Sequence, residues 1–151
     1  MKLELAIKTR KFESEQHKLV LNILYRAWAV KSYVNRKLKH YGISHEQYNV
    51  LRILKGSFHN AMRVKDIGSR LIERSSNVPR IIDKLEDKKL VKRFSSPNDN
   101  RETLIHLTSA GIKLLEVSTR SIQPSTIQSL TINEKEATIL NRLLDKINPN
   151  N

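Results

Sequence analysis

Ser75-Ser76-Asn77-Val78-Pro79-Arg80-Ile81-Ile82-Asp83-Lys84-Leu85-Glu86-Asp87-Lys88-Lys89-Leu90-Val91-Lys92-Arg93 is the stretch on which the fold turns. Val78, Ile81, Ile82 and Leu85 recur at steps of three and four, so they share one face of a helix. Asn77, Arg80 and Lys84 share another. The spacing predicts a helix over 75–89 with Ser75 or Ser76 as its N-cap. Pro79 then falls near the start, where first-turn N–H groups have no intrahelical acceptor. Deeper inside it would cost about 3 kcal/mol. The polar face joins an amide, a guanidinium and an ammonium, with Ser76 at its N-terminal end. Arg can fork onto guanine O6 and N7, and Asn onto adenine N6 and N7; Ser, Lys and a helix N-terminus can hold phosphates. The Pro79 ring can touch a thymine methyl, although a conformational role is the simpler reading. An ordinary solvated face contains the same residue types, so the segments on either side must decide.

On the C-terminal side, 90–107 reads as a hairpin. Leu90 to Ser96 forms the outgoing strand, Pro97-Asn98-Asp99-Asn100 is dense in turn formers, and Glu102 to Leu107 returns. Lys92 and Arg93 lie on the first strand and Arg101 just beyond the tip. A narrow minor groove attracts an inserted Arg through its enhanced negative potential, and Asp99 can orient Arg101. The alternative for this pair is a surface ion pair worth about 0–1 kcal/mol. On the N-terminal side, Ser57 to Met62 reads as a loop and 64–72 as a short helix with Val64, Ile67, Leu71 and Ile72 inward. Asp83, Glu86 and Asp87 read as surface charges paired with nearby Lys.

Further out, Val20, Ile23, Leu24, Ala27, Val30, Val34 and Leu38 mark one long helix over 15–40, about 39 Å at 1.5 Å per residue. So long a helix cannot bury its whole stripe on its own small domain, and a partner subunit is the simplest cover. Tyr41-Gly42 ends it. Ser44-x-x-Gln47 is a capping box for a second helix, with Tyr48, Leu51, Ile53 and Leu54 inward and Lys55-Gly56 as its close. Thr108 caps a helix expected to run through Ile122 and to stop at Pro124. Thr131-x-x-Glu134 is a second capping box, for a last helix carrying Ala137, Leu140, Leu143, Leu144 and Ile147. The order of three short helices and a hairpin is the winged-helix arrangement. The expected fold is mainly α with a small two-stranded β-wing: one domain over 1–151, with a winged helix-turn-helix at 44–107 and dimerisation helices at 15–40 and 108–147.

Composition narrows the function. Lys plus Arg number 28 against 15 Asp plus Glu, a formal charge of +13, above the magnitude of roughly 2–8 typical of a small domain. The positive charge is dense at 31–39, 63–74 and 88–101, which points to a polyanionic partner. The absence of Cys removes disulfides, thiol redox sensing and Cys-based zinc sites. The histidines (17, 40, 45, 59 and 106) lack a helical i, i+4 ligand pair, so no metal and no cofactor is expected. No nucleophile–base motif or phosphate loop occurs, and the chain is read as a non-enzyme. With no apolar run of bilayer length and no signal core at the N-terminus, it is expected to be cytoplasmic and to have no membrane partner.

Ser76-Asn-Val-Pro-Arg-Ile-Ile-Asp-Lys-Leu-Glu-Asp-Lys-Lys-Leu-Val-Lys-Arg resembles the recognition helix and first wing strand of MarR-family regulators, whose pattern runs S-x-V-x-R-h-h-D-x-L-E-x-x-G-L-V-x-R, with h apolar. Asp99-Asn100-Arg101 is similar to the family's D-x-R wing motif. Leu107-Thr108-Ser-Ala-Gly111 is similar to L-T-x-x-G, and the run from Tyr41 to Leu51 resembles the family's second helix with its preceding turn. Three positions depart: Lys89 for glycine, Pro79 for Ser or Thr, and Arg63 for a capping hydroxyl. The resemblance covers about 15–147. It implies a homodimer on double-stranded DNA, each winged helix on one half-site of a pseudo-palindromic operator and Arg101 in the minor groove. It also implies a transcriptional repressor, less often an activator, released by a small-molecule effector bound between the dimerisation helices and the winged helix. Tyr25, Trp28 and Tyr48 are the aromatic candidates for that pocket, with core packing as the plainer role. The DNA-facing set is Lys65, Ser75, Ser76, Asn77, Pro79, Arg80, Lys84, Arg93, Asn98, Asp99 and Arg101. The alternatives are a nonspecific architectural nucleic-acid-binding protein and a helical adaptor without DNA binding.

Overall fold

The computed structural model describes residues 1–57, 61–73, 77–96 and 102–147. Among them are seven helices and three short strands. A four-residue helix, α1 (Leu3–Ala6), precedes α2 (Glu15–Lys39), which starts where the Ser14 side chain accepts the His17 N–H. α2 ends at Gly42, whose φ of +68° is a conformation that favours glycine. The Ile43 N–H closes the turn on the Leu38 carbonyl.

The expected capping box opens α3 (His45–Lys55): the Ser44 hydroxyl accepts the Gln47 N–H, and the Gln47 side chain accepts the Ser44 N–H. Strand β1 (Met62–Arg63) leads into α4 (Val64–Ser69), and α5 (Val78–Asp87) follows. Strands β2 (Val91–Ser95) and β3 (Thr103–Leu107) pair antiparallel, with Val91 opposite Leu107 and Ser95 opposite Thr103. Helices α6 (Ser109–Ser129) and α7 (Glu134–Leu144) complete the chain. The fold is the expected one, mainly helical with a winged helix at its centre.

Four local readings change. The wing sheet has three strands, in the order β1-β3-β2, because Met62 and Arg63 pair with Ile105 and Leu104. Two residues carry too little period-two pattern to be read as a strand, and burial of Met62 supplies the reason for pairing. α4 is shorter than 64–72. α6 runs through Pro124, where an end was expected. Pro124 removes one backbone donor, but both sides of it are anchored. Ile122 is buried, the Thr126 hydroxyl donates to the Ile122 carbonyl at 2.7 Å, and the Tyr33 hydroxyl of α2 donates to the Ser125 carbonyl at 3.3 Å. The cap of α7 lies two residues beyond the expected box. Asn133 and Glu136 form it, while Thr131 takes a left-handed turn at φ +54°.

One core joins these elements. Val34 and Leu38 of α2, Val50, Leu51 and Leu54 of α3, Ile67 of α4, Ile82 and Leu85 of α5, Val91 and Ile105 of the sheet, and Leu115 and Ile122 of α6 all belong to it. The first half of α2, the end of α6 and all of α7 stay outside: Leu24, Trp28, Ile127, Leu140 and Leu143 are exposed. Among the described residues, no helix is long and apolar enough to cross a membrane.

Candidate nucleic-acid interface

α5 forms because its apolar positions match the helix period, and it is short because both ends are set by neighbours. Val78, Ile81, Ile82 and Leu85 are buried; Pro79, Arg80, Asp83, Lys84 and Asp87 are exposed. The N-cap is Asn77, not Ser75 or Ser76, so the helix starts later than expected and Pro79 falls in its first turn. There a missing N–H costs nothing in hydrogen bonding, and the fixed φ is already helical. α4 approaches closely: a Cβ placed on Gly68 would lie 3.4 Å from Val78 Cγ2.

The C-terminal end explains a departure from the family pattern. The Lys89 N–H bonds the Glu86 carbonyl at 2.7 Å, and the Leu90 N–H bonds the Leu85 carbonyl at 2.9 Å. This is a Schellman closure, and Lys89 holds its left-handed position at φ +59°. Glycine is the residue that suits such a conformation. The chain then enters β2 directly, which places the sheet against α5. Thr108 locks the same corner: its hydroxyl accepts the Gly111 N–H at 3.0 Å and lies 2.8 Å from the Lys89 carbonyl.

Arg93, one of the expected DNA-facing residues, makes its contacts in this structure with α5. Its guanidinium pairs with Asp83, with Glu86 at 3.1 Å, and with the Pro79 carbonyl at 3.4 Å, while the Glu86 carboxylate also accepts the Arg93 N–H. Both terminal guanidinium nitrogens are thus engaged within the chain. Asp83 and Glu86, expected to pair with lysines, are the other half of this clamp. Each such pair is partly exposed and contributes about 0–1 kcal/mol, so the main effect is orientational. Arg93 fixes the angle between wing and helix. The signal in the sequence was two carboxylates one turn apart on a helix that leads straight into a strand carrying Arg.

The exposed face of α5 borders a groove of about 790 Å³, lined by Ser44, His45, Glu46, Leu71, Glu73, Asn77, Arg80, Lys84 and Lys88, among others. Among the described residues, Arg80, Lys84 and Lys65 make no hydrogen bond or ion pair, so their charges are open to an incoming anion. Lys88, which sequence reasoning passed over, donates to the Gly42 carbonyl and to Gln47 Oε1 at 3.1 Å. It ties α5 to the turn between α2 and α3. Ser75 and Ser76 ahead of α5, and Asn98, Asp99 and Arg101 at the wing tip, lie outside the described residues.

Of the three aromatic candidates for an effector pocket, one is buried in the core and two lie together on α2. Tyr48 is buried, and its hydroxyl bonds Thr119 Oγ1 at 2.9 Å. Tyr25 and Trp28 lie on α2 with ring centroids 5.6 Å apart, and Trp28 is 62% exposed. None of the three lines the groove beside α5.

Comparisons with known proteins agree with this geometry. The sequence model of the MarR family matches residues 43–103. The HTH-type transcriptional regulator MgrA of Staphylococcus aureus is 30% identical over 140 residues, which cover 89% of this chain and 92% of MgrA. MhqR of Bacillus subtilis, also an HTH-type transcriptional regulator, is 31% identical over 98 residues, 64% of either chain and so just under two thirds of MhqR. Among solved structures, the S. aureus MepR–DNA complex superposes with a TM-score of 0.73 at 29% identity, covering 83% of this chain and 93% of that one. A MarR mutant from E. coli complexed with operator DNA shares the fold, with a TM-score of 0.81 at 24% identity and coverage of 93% and 100%.

Proposed function

Since this chain belongs to the MarR family, we propose that it is a sequence-specific DNA-binding regulator acting as a homodimer, and a repressor released by a small effector. The observation that carries the reading is the exposed face of α5. It presents Asn77, Arg80 and Lys84 at helical spacing, with Arg80 and Lys84 open to solvent, on a helix that Arg93 and Lys88 hold at both its flanks. Asn and Arg have the forked donors and acceptors that distinguish bases in the major groove, and Lys84 and Lys65 supply phosphate contacts. Pro79 offers a thymine methyl an apolar surface at the exposed N-terminal turn.

The exposed apolar stripe of α2, α6 and α7 is the surface a second copy would cover, since patches of this kind mark association. Two reading helices about one turn of DNA apart would then meet a pseudo-palindrome. A dimer seated on a promoter excludes other proteins from it, which is the basis of repression. An effector that favours another spacing of the two heads lowers operator affinity by its difference in affinity for the two states.

Selection of bound duplexes from random DNA tests the reading. The expected product is an inverted repeat with half-sites about one helical turn apart. Repeating the selection with Arg80→Ala should relax one position per half-site, at about 1–3 kcal/mol. Recovery of unrelated sequences by the native protein would replace this reading with nonspecific architectural binding.

A further inference from the structure

Glu73 stands just ahead of α5 and lines the groove together with Asn77, Arg80 and Lys84. A carboxylate there is an obstacle to any phosphate backbone drawn to Arg80 and Lys84. Glu46, at the start of α3, lines the same groove. Three cations, Arg80, Lys84 and Lys88, thus share its walls with two carboxylates.

One further cation answers both carboxylates. Lys31 reaches from α2, and its Nζ lies 2.7 Å from Glu73 Oε2 and 3.2 Å from Glu46 Oε1. Its position on α2 is singular. Val20, Leu24, Trp28, Lys31, Val34 and Leu38 follow one another at steps of three and four. Val20, Leu24 and Trp28 are exposed, whereas Val34 and Leu38 are buried. Lys31 stands where the stripe changes from one condition to the other. Hydrogen bonding to Glu73 raises its ammonium above the usual lysine value; partial burial opposes this and Glu46 adds to it.

We infer that Lys31 is a positioning residue for DNA binding: it holds Glu73, and with it Glu46, in ion pairs at the wall of the groove and offsets their charge, so that phosphates drawn to Arg80 and Lys84 meet less repulsion. The inference rests on the DNA-binding reading above. The competing role is a plain staple of α2 to the winged helix. Other bonds already provide that staple. The His45 N–H donates to Asn35 Oδ1 at 2.9 Å, and Lys88 bonds the turn after α2.

The two roles separate in a double-variant cycle on the full chain, with the duplex recovered by selection as the probe. Lys31→Met frees two carboxylates beside the phosphates and should weaken binding about fivefold, the scale of an interaction between nearby, partly screened charges. The loss should shrink as salt rises. Glu73→Gln in the Lys31→Met background should return affinity to within about twofold of Glu73→Gln alone, and Lys31→Arg should bind as the native protein does. Native-like affinity of Lys31→Met would overturn the inference. So would a loss of affinity or melting temperature that Glu73→Gln leaves unrepaired, which would make Lys31 a staple only. If the native protein itself shows no preference among duplexes, the DNA-binding reading fails first, and this inference falls with it.

Discussion

At the scale of single residues, the proposed interface is divided between side chains open to solvent and side chains held by neighbours. Arg80 and Arg93 are the same residue type within one segment, yet Arg80 is exposed and unpaired among the described residues, whereas Arg93 is only partly exposed. Arg93 is turned inward onto Asp83 and Glu86. Salt dependence distinguishes the two roles. A side chain that neutralises a phosphate contributes about one to the slope of log affinity against log salt. Arg93→Met should therefore lower operator affinity by loosening the wing while leaving that slope unchanged. A slope shallower by about one would mean that Arg93 reaches a phosphate after all. Composition could not separate the two arginines, because both look like cations on a basic protein. The separation depends on which face of β2 packs against α5.

At the scale of elements, the corner between α5, β2 and α6 sets how the wing leaves the reading helix. Lys89 occupies a left-handed position, and a side chain there costs roughly 1–2 kcal/mol relative to helical backbone. Lys89→Gly removes that strain but gives the unfolded chain more freedom. The net expectation is a gain of about 0.5–1 kcal/mol in unfolding free energy by urea denaturation. Gly111 answers the opposite constraint. A Cβ there would stand 2.1 Å from the Leu90 carbonyl oxygen and 2.9 Å from Leu107 Cδ1. Gly111→Ala must push α6 off the wing and should destabilise the fold by about 1–3 kcal/mol or more, visible in the same denaturation experiment. A fully stable Gly111→Ala protein would show that this corner is slack. Both positions were legible as motif residues, Gly111 as a match and Lys89 as a departure. The reason for each is a contact or a dihedral, which no string of letters states.

At the scale of the whole molecule, the described residues leave an apolar surface on α2, α6 and α7 uncovered. Trp28, Leu24, Ile139, Leu140 and Leu143 would be poor surface residues for a monomer. If a second copy covers them, the melting temperature should rise with protein concentration, because association stabilises by mass action. Trp28→Glu places a charge in that surface and should shift the mass by sedimentation towards the monomer while the far-ultraviolet spectrum stays helical. A native protein whose melting is independent of concentration would speak against the dimer.

The helix periods, the capping box at Ser44 and Gln47, the Thr108 cap and the succession of helices and hairpin were all determined by the sequence. Each depends on residues within about one turn or one hairpin of each other, where local propensity and periodicity act. Tertiary structure alone decided the rest: the third strand at Met62–Arg63, the passage of α6 through Pro124, the later start of α5, the inward turn of Arg93, and the meeting of Lys31 with Glu46 and Glu73. These depend on partners distant in the chain, whose packing outweighs local preference.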